Sequence, residues 1–276
     1  MMQKSILITG CSSGIGEHAA YALKDRGWRV FASCRKPEDC ARFEAEGFEA
    51  PLIDYADPAT IESGLGEVLQ ATGGTLDALF NNGAYGIPGA VEDLPTDALR
   101  AIFETNFFGY HDLIRRVIPV MRAQGHGRIV QNSSVLGFTA LRWRGAYNST
   151  KFALEGLTDT LRVEMRDTPL HIILIEPGPI TTKIRQNSIP HFEKWIDWEG
   201  SPRAEQYRTQ LRKRLYKDSG PDPFELPCDA VTKKLIHALE ARKPRPRYFV
   251  TTPTYMMNIL KRVLPTRAFD WVLAKV

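Results

Sequence analysis

Residues 5–16, Ser-Ile-Leu-Ile-Thr-Gly-Cys-Ser-Ser-Gly-Ile-Gly, constrain the fold more than any other stretch of the chain. An apolar run typical of a buried strand leads into three glycines and then into apolar residues at helical spacing, which is how a parallel strand passes into a crossover helix. Gly10, Gly14 and Gly16 allow a sharp turn and the close approach of a ligand to the main chain. The free N–H groups and the dipole at the start of the helix favour an anion, so this turn predicts a bound dinucleotide pyrophosphate.

The glycine spacing is Gly-x-x-x-Gly-x-Gly rather than the common Gly-x-Gly-x-x-Gly, and no Gly-Lys-Ser/Thr follows it. A nucleoside-triphosphate loop of the Walker type is therefore not predicted. A tight strand-to-helix connection without a ligand stays open as the alternative, because glycine-rich turns also serve as simple connections. The motifs further along the chain have to decide between the two.

The composition favours one large α/β domain over the whole range 1–276. The chain has 276 residues, of which 43% are hydrophobic and 25% charged, enough for a single core. The net charge of +4 is spread along the sequence, so we expect no nucleic-acid partner. Four cysteines without metal-ligand spacing predict a reduced, cytoplasmic protein with no metal site. We expect no signal peptide, since a strand begins by residue 5, and no transmembrane segment, which needs roughly 20 apolar residues.

Seven short apolar segments alternate with helical patterns and predict parallel strands. They are residues 5–8, 28–33, 50–53, 78–80, 128–132, 172–175 and 248–250. Strands that alternate with helices form an open parallel sheet covered on both faces. The sequence therefore predicts a Rossmann-type, doubly wound α/β fold with about seven strands in a single domain.

Three of the predicted strands end in residues suited to a nucleotide. The second strand is followed by Arg35 and by no acid. In dinucleotide folds an acid at this place binds the adenosine ribose, whereas a basic residue accommodates a 2′-phosphate, so we expect NADP(H) in preference to NAD(H). Asp54 and Tyr55 follow the third strand, where Asp54 either faces the ligand or caps the next helix. The amide and small residues 81–84 after the fourth strand let a cofactor pass close to the backbone.

A tyrosine and a lysine can carry acid–base chemistry. Tyr147 and Lys151 are four residues apart at the start of a predicted helix, so the phenol and the ammonium share one helix face. An isolated phenol has a pKa of about 10, but a nearby cation favours phenolate and brings the group into range for general acid–base catalysis. Asn106, flanked by phenylalanines within a helix predicted over residues 96–123, needs hydrogen-bond partners, which a neighbouring backbone can also supply.

At this point the chain resembles the short-chain dehydrogenase/reductase family over roughly its first 185 residues. The resemblance rests on residues 9–16, 81–84, Asn106, Ser134, Tyr147 with Lys151, and Pro177 with Gly178. It implies that Tyr147 is the catalytic acid in reduction and the base in oxidation, and that Ser134 holds the substrate oxygen. It also implies that Lys151 lowers the tyrosine pKa and binds the nicotinamide ribose, while Asn106 supports a proton relay.

The resemblance and the strand-end positions together give the expected cofactor contacts. These are Gly10, Ser12, Ser13, Gly14, Ile15, Gly16, Arg35, Asp54, Tyr55, Asn82, Gly83, Ala84, Tyr147, Lys151, Pro177, Gly178, Ile180 and Thr182. One departure concerns the fourth strand end, where the family usually has Asn-Asn-Ala-Gly and this chain has Gly83 followed by Ala84. Both residues are small, so we expect binding to be retained, unless residue 84 requires a positive φ angle.

Beyond residue 183 the resemblance fades into a variable substrate lid, over about residues 183–227. The apolar side chains of the lid and of the segment before Tyr147 are Phe138, Leu141, Trp143, Ile184, Ile189, Phe192, Trp195, Ile196 and Trp198. Such side chains either bind an apolar substrate or only pack the lid. From the first option we expect a bulky apolar carbonyl or alcohol, such as an aldehyde, a retinoid or a steroid.

A narrower resemblance is to the retinol and 17β-hydroxysteroid dehydrogenase-like branch, including bacterial NADP-dependent aldehyde reductases. It rests on the lid, on the strand exit Cys34-Arg35 and on the C-terminal tail. Two alternatives stay open. One is a 3-oxoacyl carrier-protein reductase, for which we expect a more open, basic substrate mouth. The other is a redox sensor that holds NADP without turnover, against which the intact set Ser134, Tyr147 and Lys151 argues.

The C-terminal tail, about residues 254–276, has apolar residues at helical spacing, interrupted by Pro265. Four basic residues against the single acidic Asp270 leave peripheral membrane contact open beside packing against the body or a second subunit. The family resemblance implies a homodimer or homotetramer, in which the helices predicted over residues 96–123 and 146–166 pair across a two-fold axis.

Overall fold

One parallel sheet positions the site. The structure, a computed structural model, describes residues 3–216, 220 and 222–275. Within these residues the strands are β1 (Ser5–Ile8), β2 (Arg29–Ala32), β3 (Ala78–Asn81), β4 (Gly127–Asn132), β5 (Leu170–Pro177) and β6 (Arg247–Val250). Their order across the sheet is β2-β1-β3-β4-β5-β6, and every neighbouring pair is parallel. The predicted doubly wound parallel sheet is confirmed, with six strands in place of about seven.

Residues 50–53, predicted as a strand, run beside β2 without joining the sheet. Isolated bridges link Phe31 to Glu49 and Cys34 to Leu52. Pro51 lies between the two bridges and has no N–H group, so a continuous ladder cannot form there. The segment still leaves the residues that follow it, Asp54 and Tyr55, at the carboxyl edge of the sheet, where they line the main cleft.

Helices cover both faces of the sheet. Those of the described residues are α1 (Gly14–Asp25), α2 (Pro37–Ala45), α3 (Pro58–Thr72), α4 (Thr96–Phe103), α5 (Gly109–Gln124), α6 (Gly145–Glu164), α7 (Ile184–Trp195), α8 (Ala204–Gln206), α9 (Arg212–Tyr216), α10 (Asp229–Glu240), α11 (Thr252–Val263) and α12 (Thr266–Leu273). One core layer contains α1, α2 and α10, and the other contains α3, α5 and α6. Alternate residues of β1 face opposite layers, Ile6 and Ile8 the first and Leu7 the second, as a strand covered on both sides requires.

The direction of strand addition reverses beside β1. The chain places β2 on one side of β1 and then crosses to place β3 on the other. The connections that leave the carboxyl ends of β1 and β3 therefore diverge and leave a crevice between them. Open α/β sheets bind their ligands at such a switch point.

The helix predicted over residues 96–123 is interrupted. A π-helical turn, Glu104–Phe108, separates α4 from α5. Asn106 lies in this turn with no exposed surface. A π turn accommodates one extra residue within a helix and frequently marks a functional site. The second predicted helix, residues 146–166, corresponds closely to α6.

The lid packs around a core of its own. α7, α8, α9 and the π-helical turn Tyr207–Leu211 bury apolar side chains against α4 and the loop after β3. The Tyr207 hydroxyl fastens this core, since it accepts from the Ala90 N–H at 2.7 Å and donates to the Asp93 carboxylate at 2.8 Å. Of the predicted lid, residues 217–219 and 221 lie outside the described residues, as do residues 1, 2 and 276 of the predicted domain.

The tail forms α11 and α12, separated at Pro265 as predicted. Met257 is buried, and the Lys261 Nζ lies 5.0 Å from the ring centroid of Phe152, so α11 packs against α6. Its exposed apolar side chains are Tyr255, Met256, Ile259 and Val263, with Trp271 on α12. Within the described part of the chain no helix is long and apolar enough to cross a membrane.

Candidate active site

The turn after β1 is shaped to admit a dinucleotide. Gly10 has a φ of +67°, and a Cβ there would come within 2.5 Å of the Gly83 Cα. No side chain therefore fits at residue 10, and two backbones meet directly at the crevice. Gly14, also at φ +67°, opens the start of α1 beside the Thr182 side chain. The result is a cradle of main-chain groups at a helix N-terminus, which suits a pyrophosphate.

Asn82 ties three strand ends together beneath this cradle. Its side-chain amide donates to the carbonyls of Thr9 at 3.0 Å and Gly10 at 3.3 Å, and its carbonyl accepts from the Asn132 amide at 2.8 Å. The exchange of Gly83 and Ala84 relative to the family motif causes no strain, because Ala84 is not among the described residues with positive φ. The strand exit therefore keeps the small residues that a ligand needs close to the backbone.

A cleft of about 1140 Å³ runs from this cradle to the lid. The predicted site residues that line it are Gly10, Ser12, Ser13, Gly14, Ile15, Arg35, Asp54, Tyr55, Asn82, Gly83, Ala84, Ser134, Tyr147, Lys151, Pro177, Gly178, Ile180 and Thr182. Two predicted residues, Gly16 and Asn106, do not line it. Gly16 is buried in α1, where it lets the helix pack closely on the Gly10 carbonyl.

Arg35 and Asp54 line the end of the cleft at which the sequence predicts the adenosine. Arg35 is exposed just beyond β2 and lines the cleft, and no acidic residue takes its place at the end of that strand. Asp54 does not cap the next helix. That cap is Asp57, whose carboxylate accepts from the Ala59 N–H at 3.0 Å, while the Asp54 carboxylate accepts from the Ala56 N–H.

Tyr55 is a structural support of the same end. Its side chain is buried, and its hydroxyl lies 2.7 Å from the Thr9 Oγ1 and donates to the Asn81 carbonyl at 2.5 Å. These bonds join the segment after residue 53 to the ends of β1 and β3. Tyr55 therefore lines the cleft, but its hydroxyl is already bound by Thr9 and Asn81.

Asn106 does not reach the cleft. Its amide donates to the Tyr85 carbonyl at 2.8 Å and its carbonyl accepts from the Tyr85 N–H at 3.1 Å. A further amide bond reaches the Thr150 hydroxyl at 3.4 Å. The side chain thus holds the loop after β3 against α6, which is the backbone-bonding role that sequence reasoning left open. The proton relay remains a prediction.

Ser134 and Tyr147 both line the cleft, and the Ser134 hydroxyl lies close enough to influence the pKa of the Tyr147 phenol. Ser134 follows β4, and its Oγ also accepts from the Leu136 N–H at 3.1 Å. Burial raises the pKa of Tyr147 to about 12, while the Ser134 hydroxyl and the Arg144 guanidinium act in the opposite direction. The phenol is therefore protonated at neutral pH, ready to donate to an oxygen that becomes negative.

Lys151 lies on the same face of α6, with its Nζ 5.6 Å from the Tyr147 ring centroid. The Nζ donates to the Asn132 carbonyl at 2.7 Å, and the side chain is buried. Burial lowers the pKa of Lys151 to about 7, opposed by Glu155. The Arg144 guanidinium also favours the ionised form of Tyr147, and the expected effect of Lys151 on the tyrosine pKa remains a prediction.

Two features of the cleft escaped the sequence analysis. Tyr85 stacks on His191 of α7, with ring centroids 4.0 Å apart and ring planes 21° apart, and both residues line the cleft. This contact joins the loop after β3 to the lid. Arg144 lines the cleft one helical turn before Tyr147. Its position three residues before Tyr147, at the start of the same helix, is the sequence feature that could have predicted this.

The predicted aromatic cluster of the lid packs the lid. Phe192 and Ile196 are buried in the lid core, and Trp195 and Trp198 pack against it. None of these four is among the described residues that line the cleft. The apolar side chains that line the cleft include Ile87, Leu136, Ile184 and Leu215 instead. Of the two options for the cluster, the geometry favours packing.

A glycine cradle at the switch point and a tyrosine, serine and lysine at the far end of one cleft define a dinucleotide-dependent oxidoreductase. The family model for short chain dehydrogenase matches residues 4–192 of the chain. An uncharacterized oxidoreductase of Escherichia coli (strain K12), YbbO, is 39% identical over 273 residues, which are 99% of this chain and 95% of that protein.

A human relative and a solved structure extend the comparison. The 17-beta-hydroxysteroid dehydrogenase type 1 of Homo sapiens is 30% identical over 265 residues, which are 91% of this chain and 78% of that protein. A crystal structure of a short-chain dehydrogenase from Streptomyces avermitilis matches with a TM-score of 0.79 and 27% identity, covering 100% of this chain and 95% of that chain.

The chain belongs to the short-chain dehydrogenase/reductase family. It is an oxidoreductase that acts on CH–OH or C=O groups with a nicotinamide dinucleotide. The resemblance predicted from the motifs is confirmed. The roles of the individual site residues remain predictions.

Proposed function

We propose that the protein is an NADP(H)-dependent carbonyl reductase and alcohol dehydrogenase for a substrate with an apolar body, such as an aldehyde, a retinoid or a steroid. The observation that carries the proposal is that Ser134, Tyr147 and buried Lys151 line one cleft together with the glycine turn after β1, with the Lys151 Nζ 5.6 Å from the Tyr147 ring centroid. When bound, the nicotinamide supplies or accepts hydride at the carbonyl carbon.

The side chains of the protein handle the proton and the oxygen. Tyr147, protonated at neutral pH, donates its proton to the substrate oxygen in reduction and takes it back in oxidation. The Ser134 hydroxyl positions that oxygen and stabilises it as negative charge grows. Lys151, fixed by the Asn132 carbonyl, lies where it can bind the nicotinamide ribose. Asn106 positions the loop at Tyr85.

The preference for NADP(H) is supported by Arg35, which lines the adenosine end without an acid at the β2 exit. Replacing Arg35 with Ala should lower the ratio of catalytic efficiencies with NADPH and NADH by about tenfold, the loss of one charge-assisted hydrogen bond. Arg142→Ala, which removes an exposed arginine outside the cleft lining, is the matched control. Better use of NADH by the wild type, or an unchanged ratio in Arg35→Ala, would contradict the preference.

The apolar substrate body is supported by four apolar side chains that line the same cleft as Tyr147, namely Ile87, Leu136, Ile184 and Leu215. The 17-beta-hydroxysteroid dehydrogenase among the relatives acts, by its name, on a large apolar ring system. Burial of such a body would also displace water from the reacting carbon. The aromatic lid cluster acts in this proposal by shaping the lid.

A second candidate is a 3-oxoacyl carrier-protein reductase, for which a basic mouth is expected. Lys183, Arg185 and Arg214 of the lid line the cleft, and this observation favours it. A panel of aldehydes, ketones, alcohols and a 3-oxoacyl thioester, each assayed with NADPH and NADH, separates the candidates. We expect the highest efficiency with apolar aldehydes and NADPH. Preferred turnover of the thioester would favour the second candidate, and NADPH binding without any turnover would favour a sensor.

Assembly and location complete the proposal. Phe108, Phe152 and Val163 are exposed on the helices expected to pair in a homodimer or homotetramer. The exposed side chains of the tail, such as Ile259 and Trp271, offer a second contact surface, either for a subunit or for a membrane. A monomer in light scattering at micromolar concentration would contradict the oligomer.

We place the protein in the cytoplasm because its four cysteines are free thiols.

A further inference from the structure

Arg144 is a cation inside the cleft whose guanidinium makes no hydrogen bond or ion pair with the described part of the chain. Its side chain is half-buried and lines the same wall as Tyr147. A partly desolvated guanidinium with five N–H donors is costly to leave unpaired. Its position therefore calls for an oxyanion from outside the chain.

The backbone before Arg144 is held in an unfavourable conformation. Trp143 has a φ of +65°, in the left-handed region that a bulky residue rarely adopts. Its carbonyl accepts from the Gly89 N–H at 3.0 Å, and its ring packs on Tyr207 with centroids 4.7 Å apart. Strain of this kind persists where the surroundings enforce it, and it concentrates at ligand sites. The lid core thus fixes the place from which Arg144 enters the cleft.

The charges around Arg144 leave this part of the cleft positive. Arg185 and Arg214 of the lid also line the cleft, and both donate to the Asp222 carboxylate, at 3.1 Å and 2.7 Å. Asp222 is therefore shared by two other guanidinium groups. Burial lowers the pKa of Arg144 to about 10, Arg214 and Arg185 add to the effect, and Asp222 and Tyr147 oppose it. Arg144 stays charged at neutral pH, and an added anion would relieve the repulsion.

We propose that Arg144 binds a carboxylate carried by the carbonyl substrate. The substrate would combine an apolar body, a carbonyl or alcohol carbon at Tyr147, and an anionic group at Arg144. A planar guanidinium can bind a carboxylate with two parallel hydrogen bonds, which gives orientation as well as affinity. The inference rests on the proposed function and names the substrate class of the same site. Arg144 would thus determine which substrates bind, in addition to its influence on the pKa of Tyr147.

Semialdehydes of dicarboxylic acids of increasing length test this assignment, each assayed with NADPH beside its neutral methyl ester. At the chain length that spans from Tyr147 to Arg144, the wild type should prefer the carboxylate. In Arg144→Leu this preference should fall by about tenfold to hundredfold, the range for hydrogen bonds to charged groups. The loss should appear mainly in KM. Arg144→Lys should retain part of the preference, because it keeps the charge.

Arg142→Leu is the matched control. Arg142 lies two residues earlier in the same loop, is exposed and donates to Gln210 at 3.2 Å outside the cleft lining. It should keep the full carboxylate preference. The methyl ester reports any loss that Arg144→Leu causes through Tyr147, so its efficiency should fall less than the efficiency with the carboxylate. An equal loss for both substrates would show a role confined to Tyr147 or to folding, and would overturn the proposal, as would a wild type that prefers the ester at every length.

A binding measurement separates this inference from the proposed function. If no aldehyde turned over, the proposed function would fail. The assignment of Arg144 would then be decided by calorimetric titration of the protein–NADP⁺ complex with hexanoate and with neutral hexanamide. Tighter binding of hexanoate in the wild type and not in Arg144→Leu would support it. Equal binding of the two ligands would overturn it.

Discussion

The two ends of the cleft are built in different ways. At the cofactor end, strand exits meet backbone to backbone, as Gly10 and Gly83 do. At the end proposed for the substrate, charged and apolar side chains of a separately packed lid line the cleft together with Tyr147. The first arrangement follows from local rules of glycine and strand geometry. The second depends on which way a lid helix turns its side chains, and so it varies without disturbing the sheet.

Tyr147→Phe should produce the largest effect and leave the cofactor end intact. The variant keeps the ring and loses the transferable proton, so kcat should fall by about 10²–10⁴-fold, the usual contribution of general acid–base catalysis. NADPH affinity, followed by fluorescence, should stay within error of the wild type. Near-normal turnover would remove Tyr147 from the mechanism, and lost NADPH binding would show that the two ends are not separable in this way.

A pair of glycines tests the backbone contact at the cofactor end. Gly10 and Gly73 have nearly the same φ, +67° and +69°, but a Cβ at Gly73 meets nothing within 4 Å. Gly73→Ala should cost about 1–2 kcal/mol for the left-handed conformation alone. Gly10→Ala should add an overpacking cost of about 1–3 kcal/mol and lower NADPH affinity. Urea unfolding and NADPH titration check this, and equal effects of the two substitutions would show that the cradle is not sterically tight.

The buried lysine gives a pH-dependent test. Burial lowers the pKa of Lys151 to about 7, whereas an unfolded lysine titrates near pH 10.4. Between these values the unfolded chain binds more protons than the native protein, so Lys151 makes the unfolding free energy rise with pH. The rise is at most about 1.4 kcal/mol per pH unit.

Urea unfolding without cofactor at pH 7 and pH 9 measures this rise. It should be smaller in Lys151→Met than in the wild type. Lys213→Met, at an exposed position of α9, should behave as the wild type. Equal rises in the wild type and Lys151→Met would mean that the lysine is not desolvated as its burial indicates.

The smallest effect separates cleft lining from lid core. In a series of straight-chain aldehydes each added methylene should improve catalytic efficiency by up to about 0.8 kcal/mol, or fourfold, until the cleft is filled. Ile184, exposed and lining the cleft, should flatten this series when replaced by Ala. Trp195→Ala, in the lid core, should lower stability and leave the slope unchanged. A slope that is flattened by Trp195→Ala and unchanged by Ile184→Ala would show that the aromatic cluster binds the substrate.

The sequence predicts the cofactor end well because backbone rules act locally. The glycine turn at residues 10–16, the small residues 81–84 and the spacing of Tyr147 and Lys151 each follow from strand ends or helix periodicity. The strand over residues 50–53 failed because Pro51 interrupts a ladder that periodicity alone suggests.

Long-range packing explains what the sequence did not show at the substrate end. Asn106 lies in a π turn, which helix periodicity does not reveal, and its side chain binds the backbone of Tyr85. From the sequence alone, Trp195 fits a substrate pocket and a lid core equally well, and the folded lid shows it packed against the lid core. The surroundings of Arg144 include Arg185, Arg214 and Asp222 of the lid, which come close to it only in the folded protein. Each of these contacts joins residues far apart in the chain, and no local pattern encodes them.

Transfer of deuterium tests the central claim most directly. Purified protein is incubated with NADPH carrying two deuterium atoms at C4 of the nicotinamide and with an apolar aldehyde, and the alcohol is analysed by mass spectrometry. The account predicts alcohol with one deuterium on the former carbonyl carbon in the wild type and no alcohol above background in Tyr147→Phe. Bound NADPH that transfers no deuterium in the wild type, or equal transfer in the variant, would contradict it.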